Sequence, residues 1–152
     1  MLKPGTKAPS FELLSDEGKK VSLKDFAGRK VVLYFYPRDN TPGCTKEACS
    51  FSENIRRLQK AGAVVLGVSA DSVASHQKFK EKYGLGFTLL SDPEKKAIEK
   101  YGVWKEKNIY GKKMMGVERT TIIIDEQGKI AHIFPKVKVD GHTEEVLKAL
   151  SI

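Results

Sequence analysis

Residues 31–44 read VVLYFYPRDNTPGC, and this stretch decides the fold. Its first six residues are β-branched, aromatic or leucine, a run that is typical of a strand covered on both faces. Turn-forming residues follow, and then Ala48, Phe51, Ile55 and Leu58 recur at spacings of three and four, which predicts an amphipathic helix that ends at Gly62. We therefore expect a central strand, a loop and a helix in that order.

The rest of the chain alternates short apolar runs with helical patterns. The strands are expected at residues 11–14 and 20–23 as a hairpin, at 64–68, at 87–90, and at 120–124 and 129–134 as a second hairpin. Helices are expected at residues 72–83, from Asp92 as N-cap with Pro93 in the first helical position to Gly102, and at 143–150. Residues 105–113 are polar and basic, which predicts a loop.

This order of elements predicts an α/β fold with a mixed central sheet flanked by helices. It matches a thioredoxin-like core that carries an N-terminal hairpin extension and an inserted helix. With 152 residues, of which 40% are hydrophobic, the chain has enough apolar material for one core. We therefore expect a single domain spanning residues 1–152.

The composition excludes several classes of function. The net charge of +8 is divided evenly, +4 in residues 1–76 and +4 in residues 77–152, which argues against a nucleic-acid-binding stripe. The longest mostly apolar run, residues 61–70, is far shorter than the ~18 residues of a membrane span. The first residues contain Pro4, Gly5 and Pro9 and no continuous apolar segment of the kind a secretory signal has, so we expect a cytoplasmic protein.

Cys44 is the principal candidate for chemistry. If Thr41 is the N-cap and Pro42 the first helical residue, Cys44 is the third residue of the helix, where free backbone N–H groups and the helix dipole favour an anion. Cysteines in such positions have a pKa below the free value of ~8.5 and react as thiolates. The Thr41 hydroxyl is available to cap the helix, contact the sulfur or position a substrate oxygen. The alternative interpretation is that Cys44 is a small buried apolar residue.

Cys49 lies five residues further along the same predicted helix. Two Cα atoms with this spacing are ~8.6 Å apart on an ideal helix, beyond the ~7 Å that a disulfide tolerates, so pairing requires part of the helix to unwind. The spacing is not Cys-x-x-Cys, which weakens an interpretation as a simple dithiol oxidoreductase. It also does not favour a zinc site with His76, His132 or His142, because none of these is near either cysteine in sequence.

Arg119 is the candidate cation. It directly precedes the apolar run 120–124, and the edge of the sheet could bring its guanidinium to Cys44, where it would stabilise the thiolate and the developing charge on a leaving oxygen. The alternative is an exposed arginine paired with Glu118 or Glu126.

These residues resemble those of the peroxiredoxins. Pro37-x-x-x-Thr41-x-x-Cys44 is similar to the peroxidatic loop of that family, and residues 41–49, TPGCTKEAC, resemble the bacterioferritin comigratory protein or Q-type subgroup. Further similarity extends over residues 11–13, 31–37, 88–92, 101–104 and 119–125, so nearly the whole chain is covered.

The resemblance implies a thiol peroxidase. Cys44 would be the peroxidatic nucleophile, with Pro37 shielding it, Thr41 hydrogen-bonding the substrate and Arg119 activating both. Cys49 would resolve the Cys44 sulfenic acid as an intramolecular disulfide, and thioredoxin or a similar dithiol would reduce it. The substrates would be hydrogen peroxide and organic hydroperoxides, with no metal or organic cofactor and no nucleic-acid or membrane partner.

Other functions and assemblies stay open at this point. A redox-regulated chaperone or binding protein would use the same cysteines to expose Phe51 and Ile55 on oxidation. A thiol–disulfide exchange protein would use them without a peroxide. We expect a monomer, with weak dimerisation as the alternative.

Overall fold

The computed structural model describes residues 2–151, except the side chain of Ile109. Its strands are β1 (Glu12–Ser15), β2 (Lys20–Ser22), β3 (Lys30–Phe35), β4 (Ala63–Ser69), β5 (Thr88–Ser91), β6 (Trp104–Ile109), β7 (Lys112–Val117), β8 (Thr120–Ile124) and β9 (Ile130–Phe134). Its α-helices are α1 (Pro42–Glu53), α2 (Ile55–Lys60), α3 (Val73–Tyr83), α4 (Lys96–Lys100) and α5 (His142–Leu150). A short 3-10 helix covers Leu23–Phe26.

Seven strands form one mixed sheet in the order β2-β1-β5-β4-β3-β8-β9. Strand β3 lies parallel to β4 and antiparallel to β8, so the run predicted to be central does lie inside the sheet. The predicted hairpins β1–β2 and β8–β9 are both present. The α/β class and the mixed central sheet are therefore confirmed.

The side chains of β3 alternate between two apolar layers, one on each face of the sheet. Val32, Tyr34 and Tyr36 point to the layer that also contains Cys44 and Phe51. Residues of α1, α2, α3 and α5 fill this layer, whereas α4 and the segment that precedes β1 pack on the other face. Because β3 is buried on both faces, the loop that follows it leaves the sheet from a rigid support.

Two predicted boundaries were wrong. The helix predicted to continue to Gly62 is interrupted at Asn54, whose side-chain amide donates to the Ser50 carbonyl oxygen and separates α1 from α2. The helix predicted to open at Asp92 begins only at Lys96. Asp92 nevertheless stabilises the start of this helix, because its carboxylate accepts from the backbone N–H groups of Lys96 and Ile98, at 2.8 and 2.9 Å.

The predicted loop at residues 105–113 was also wrong. This segment contributes most of the two-stranded hairpin β6–β7, which pairs Trp104 with Val117 at its base. Trp104 and Val117 belong to the apolar layer on the α4 side of the sheet, whereas the hairpin beyond them is largely exposed. Only Glu118 and Arg119 separate β7 from β8, so the hairpin is joined closely to the predicted site. Across residues 2–151, none of the helices has the length and apolar character needed to cross a membrane.

Candidate active site

The structure places Cys44 in the first turn of α1, directly after the loop that leaves β3. Thr41 has the extended backbone of an N-cap residue, and Pro42 is the first helical residue, as predicted. The Thr41 hydroxyl does not cap the helix; it donates to the Arg38 carbonyl oxygen at 3.0 Å. The Cys44 side chain is only 1% exposed. The N–H groups of this turn therefore receive no side-chain cap from Thr41, which leaves the helix end suited to an anion.

Arg119 reaches the sulfur from the position just before β8. Its Nη2 donates to Cys44 Sγ at 3.3 Å, and its Nη1 donates to Glu47 Oε1 at 2.7 Å. The arginine is thus paired with Glu47 and the cysteine, and the alternative pairing with Glu118 or Glu126 is not observed. A guanidinium that donates to the sulfur stabilises the thiolate relative to the thiol. This contact also argues against Cys44 as a merely apolar residue.

Gly43 allows this contact. A Cβ added to residue 43 would lie 3.2 Å from Arg119 Nη2, a distance at which the neighbouring group has to shift. Arg119 therefore approaches the backbone of α1 where a side chain would obstruct it.

Glu47 was not predicted as part of the site. It lies one turn after Cys44, is 2% exposed, and its Oε2 has no hydrogen-bond partner among residues 2–151. Burial raises the pKa of this carboxyl from 4.5 to about 7, although Arg119 acts in the opposite direction. Its sequence signal was the i, i+3 spacing from Cys44, which places both side chains on one face of the helix.

Lys107 was also missed, since it lay in the predicted loop. Its aliphatic chain lies against Gly116 of β7, where Cδ is 3.3 Å from the position that a Cβ would take. Burial and the charge of Arg119 lower the pKa of Lys107, while Cys44 and Glu118 oppose the shift. The hairpin therefore adds a second cation to the surroundings of the cysteine.

Cys49 lies on the same helix and is half-buried beside the layer that contains Cys44. Both cysteines are free. Burial raises the pKa of the Cys49 thiol, and the charge of Glu53 raises it further. The folded arrangement therefore disfavours the thiolate form of Cys49.

Pro37 is the second residue after β3 and is half-buried at the start of the loop. Its shielding of Cys44 stays a prediction. Two of the three histidines weighed as metal ligands contact other groups: His76 contacts Asp39 and the Leu90 carbonyl oxygen, and His142 contacts Thr121 and Glu145. The described residues thus bring together Cys44 and Arg119 of the predicted set, with Glu47 added.

Known proteins resemble the chain along nearly its whole length. Residues 4–133 match the AhpC/TSA family. A putative peroxiredoxin bcp of Coxiella burnetii is 59% identical over 146 residues, which cover 96% of this chain and 97% of that protein. Peroxiredoxin Bcp of Bacillus subtilis is 49% identical over 96% of this chain and 93% of its own length.

Solved structures also resemble this chain along nearly its whole length. The bacterioferritin comigratory protein of Xanthomonas campestris, studied for its alkyl peroxide reduction activity, superimposes with a TM-score of 0.92 at 40% identity and covers 98% of each chain. A cysteine variant of PrxQ from Xylella fastidiosa gives a TM-score of 0.94 at 36% identity, covering 99% of this chain and 96% of its own. The predicted thioredoxin-like fold is confirmed by these likenesses. Since the family match and these relatives cover nearly all of it, the chain belongs to the AhpC/TSA family and is a peroxiredoxin of the Bcp or Q type, a cysteine-based peroxidase.

Proposed function

We propose that this peroxidase reduces hydrogen peroxide and organic hydroperoxides with Cys44 as the nucleophile and Cys49 as the resolving thiol. The observation that carries the proposal is the Arg119 guanidinium, which donates to Cys44 Sγ at the first turn of α1. The X. campestris relative, with 40% identity, was studied for alkyl peroxide reduction, which supports organic hydroperoxides as one substrate class.

In the first step, the Cys44 thiolate attacks one oxygen of the hydroperoxide. The O–O bond breaks, the sulfur gains an S–O bond, and the leaving oxygen takes up a proton to depart as water or an alcohol. Arg119 donors and the N–H groups at the start of α1 are suited to the charge that develops on the leaving oxygen. Thr41 is proposed to hydrogen-bond the substrate: its hydroxyl can accept from the peroxide O–H while it donates to the Arg38 carbonyl oxygen.

In the second step, Cys49 attacks the Cys44 sulfenic acid, so that an S–S bond forms and water leaves. Both cysteines lie in one continuous helix, α1, where five residues separate Cα atoms by ~8.6 Å. The first turns of α1 therefore have to unwind before the disulfide can form, because it tolerates at most ~7 Å.

Contacts on the far part of α1 limit how far the unwinding spreads. Phe51 is fully buried, with its ring centroid 4.8 Å from that of Tyr34. Ser50 and Thr143 share a hydrogen bond of 2.6 Å that ties α1 to α5. Near the start, by contrast, Lys46 pairs with Asp140 between exposed side chains. We propose that residues 41–49 move and that Ser50 and Phe51 stay in place.

Unwinding would also activate Cys49. Burial and Glu53 raise the pKa of its thiol in the folded helix, whereas the thiolate is the form that attacks a sulfenic acid. Greater exposure to water removes the burial contribution, so the same movement that shortens the distance makes more thiolate available.

A dithiol reductant completes the cycle by thiol–disulfide exchange with the oxidised pair. A thiol reductant is implied by the family, and we propose thioredoxin or a similar protein for this role. Resolution within one chain requires no second copy, so we propose a monomer, acting in the reducing environment of the cytoplasm.

The decisive experiment measures peroxide consumption by the wild type, Cys44→Ser and Cys49→Ser with dithiothreitol and, separately, with thioredoxin and its reductase. We expect no turnover from Cys44→Ser. Cys49→Ser should consume one equivalent of peroxide at the wild-type rate and then recycle poorly with thioredoxin. Undiminished turnover by Cys44→Ser would refute the proposal, and unchanged thioredoxin-dependent recycling by Cys49→Ser would refute the role of Cys49.

A further inference from the structure

A buried polar network anchors the loop that precedes the catalytic turn. Asp39, two residues before Thr41, accepts from Tyr36 Oη at 2.6 Å with Oδ1 and from Ser75 Oγ at 2.8 Å with Oδ2. His76 Nδ1 lies 2.7 Å from the same Oδ2. Neither side chain of this pair is exposed beyond a few per cent. The pair joins the loop to α3, an element that contributes nothing to the cysteine–arginine contact.

The network extends to the central strands. His76 Nε2 lies 2.9 Å from the Leu90 carbonyl oxygen of β5, which can only accept, so Nε2 carries a proton. One further proton lies between Nδ1 and Oδ2. The Asp39 backbone N–H donates to Asp71 Oδ2 at 2.8 Å, and this oxygen also accepts from Ser69 Oγ of β4 at 2.6 Å. Every hydrogen-bonding atom of the His76 ring and of the Asp39 carboxylate is thus engaged within the protein.

A metal ion is not needed to explain this cluster. Ligand atoms of Asp39, Asp71 and His76 do lie within 4.8 Å of one another. However, the hydroxyl, ring and backbone donors named above already occupy them, and an ion would have to displace these hydrogen bonds. These hydrogen bonds instead fix the loop to the rest of the protein, and we call this network of Tyr36, Asp39, Asp71, Ser75 and His76 the anchor.

The anchor ends where the proposed movement begins. Asn40 has a left-handed backbone, with φ of 61°, and its Oδ1 accepts from Tyr83 Oη at 3.0 Å. Thr41 and the first turn of α1 follow at once. Residues 36–39 are therefore fixed to α3, β4 and β5, while residues 41–49 are the segment that has to unwind.

We propose that Asp39 and His76 are positioning residues of the peroxidase cycle. They hold the loop upstream of Asn40 and so set how the Cys44 sulfenic acid is divided between two fates. One is the disulfide with Cys49. The other is reaction with a second hydroperoxide, in which another O–O bond breaks, the sulfur is oxidised to sulfinic acid, and an alcohol or water leaves. This inference rests on the proposed function of Cys44 and Cys49.

The direction of the effect follows from chain entropy. A segment anchored at both ends gains less freedom on unwinding than one whose upstream end is loose. Loss of the anchor therefore favours the unwound state. The unwound state forms the disulfide, whereas the folded turn is the state in which Arg119 supports attack on a peroxide. Weakening the pair should slow the first step, speed resolution and reduce sulfinic acid.

The test compares Asp39→Ala, His76→Leu and the double variant with His132→Leu. His132 is a partly exposed histidine on β9, outside this network, and serves as the matched control. Single-turnover reactions over a range of peroxide concentrations, analysed by mass spectrometry, give the ratio of sulfinic acid to disulfide. Because the anchor includes hydrogen bonds to a charged group, we expect this ratio to fall by roughly tenfold in the double variant and to stay unchanged in the control.

The double variant separates positioning from stability. Each single variant leaves the other member of the pair without its partner and should lower the unfolding midpoint. The double variant removes both members and should recover part of the loss, although Tyr36 Oη and Ser75 Oγ still lack their acceptor. We expect the ratio to stay shifted in the double variant and the amides of residues 38–41 to exchange faster in the reduced protein. A ratio that returns to the wild-type value together with stability would overturn the proposal. Failure of the proposed function would show differently: the wild type would form neither product if Cys44 is not the nucleophile, and no disulfide if Cys49 is not the resolving thiol.

Discussion

Glu47 offers the sharpest test of the electrostatics at the site. Replacement by Gln keeps an oxygen that accepts from Arg119 Nη1 but removes the titratable group. Burial raises the pKa of Glu47 from 4.5 to about 7 in the folded protein. Between these two values the folded state binds a proton that the unfolded state has released, so the wild type should lose stability as the pH rises through this window.

The size of this loss of stability follows from the difference in the pKa of Glu47 between the folded and the unfolded state. A difference of about 2.5 pH units corresponds to about 3 kcal/mol of unfolding free energy that is present below pH 4.5 and lost by about pH 7.5. Since Glu47 is 2% exposed, solvent screening takes little from this figure. Glu47→Gln should lack this contribution to the pH dependence. Its unfolding free energy relative to the wild type should therefore rise by about 2.5 kcal/mol from pH 5 to pH 8, because part of the loss already occurs below pH 5.

Urea unfolding of the reduced protein at half-unit pH intervals measures this difference. Glu53→Gln is the matched control, because Glu53 is an exposed glutamate of the same helix, and its curve should run parallel to that of the wild type. Parallel curves for Glu47→Gln and the wild type from pH 5 to pH 8 would refute the assignment of a raised carboxyl pKa. A wild type that gains stability relative to Glu47→Gln over this range would mean that Arg119 outweighs burial.

Three further changes test the surroundings of Cys44. Gly43→Ala should lower the second-order rate constant with peroxide by about tenfold in stopped-flow assays, because the added Cβ would lie 3.2 Å from Arg119 Nη2 and displace it. An unchanged rate constant would show that Arg119 shifts at no cost. Lys107→Gln should lower the same rate by about threefold at low salt and by less at 0.5 M salt, since screening weakens its charge; equal losses at both salts would contradict an electrostatic role. Tyr34→Phe removes a buried hydroxyl that has no partner among the described residues, so the unfolding free energy should stay the same or rise by up to about 1 kcal/mol. A clear decrease of this free energy in urea unfolding would show that the hydroxyl has a partner.

The sequence predicted the elements whose pattern is set by burial. Strand β3 was evident because both faces are covered, which leaves an unbroken apolar run. The start of α1 was evident because Thr41 and Pro42 provide a local signal that needs no distant partner. Cys44 was placed correctly for the same reason.

What the sequence did not predict depends on contacts between distant residues. Arg119 and Glu47 are 72 residues apart, and nothing in either segment indicates the pairing. The β6–β7 hairpin is exposed over much of its length, so its strands lack the apolar alternation by which a strand is recognised. Lys107 was missed as part of the site because it lies on this hairpin. The helix at Lys96 begins late because Asp92 reaches its N–H groups across several residues, a geometry that the local capping pattern does not encode.

The first turn of α1 is weak for reasons that the active site imposes. Gly43 lowers helix stability by about 1 kcal/mol relative to Ala, yet the approach of Arg119 requires a residue without a side chain there. The Thr41 hydroxyl donates to the Arg38 carbonyl, so the cap that would contribute about 1 kcal/mol is missing. The first turn also has no acidic residue to interact with the helix dipole. Each feature leaves the helix end open to a thiolate and a peroxide, and each lowers the free energy of unwinding the turn. In the proposed cycle, the arrangement that supports attack by Cys44 would therefore also make its disulfide with Cys49 accessible, because both depend on the same unfilled helix end.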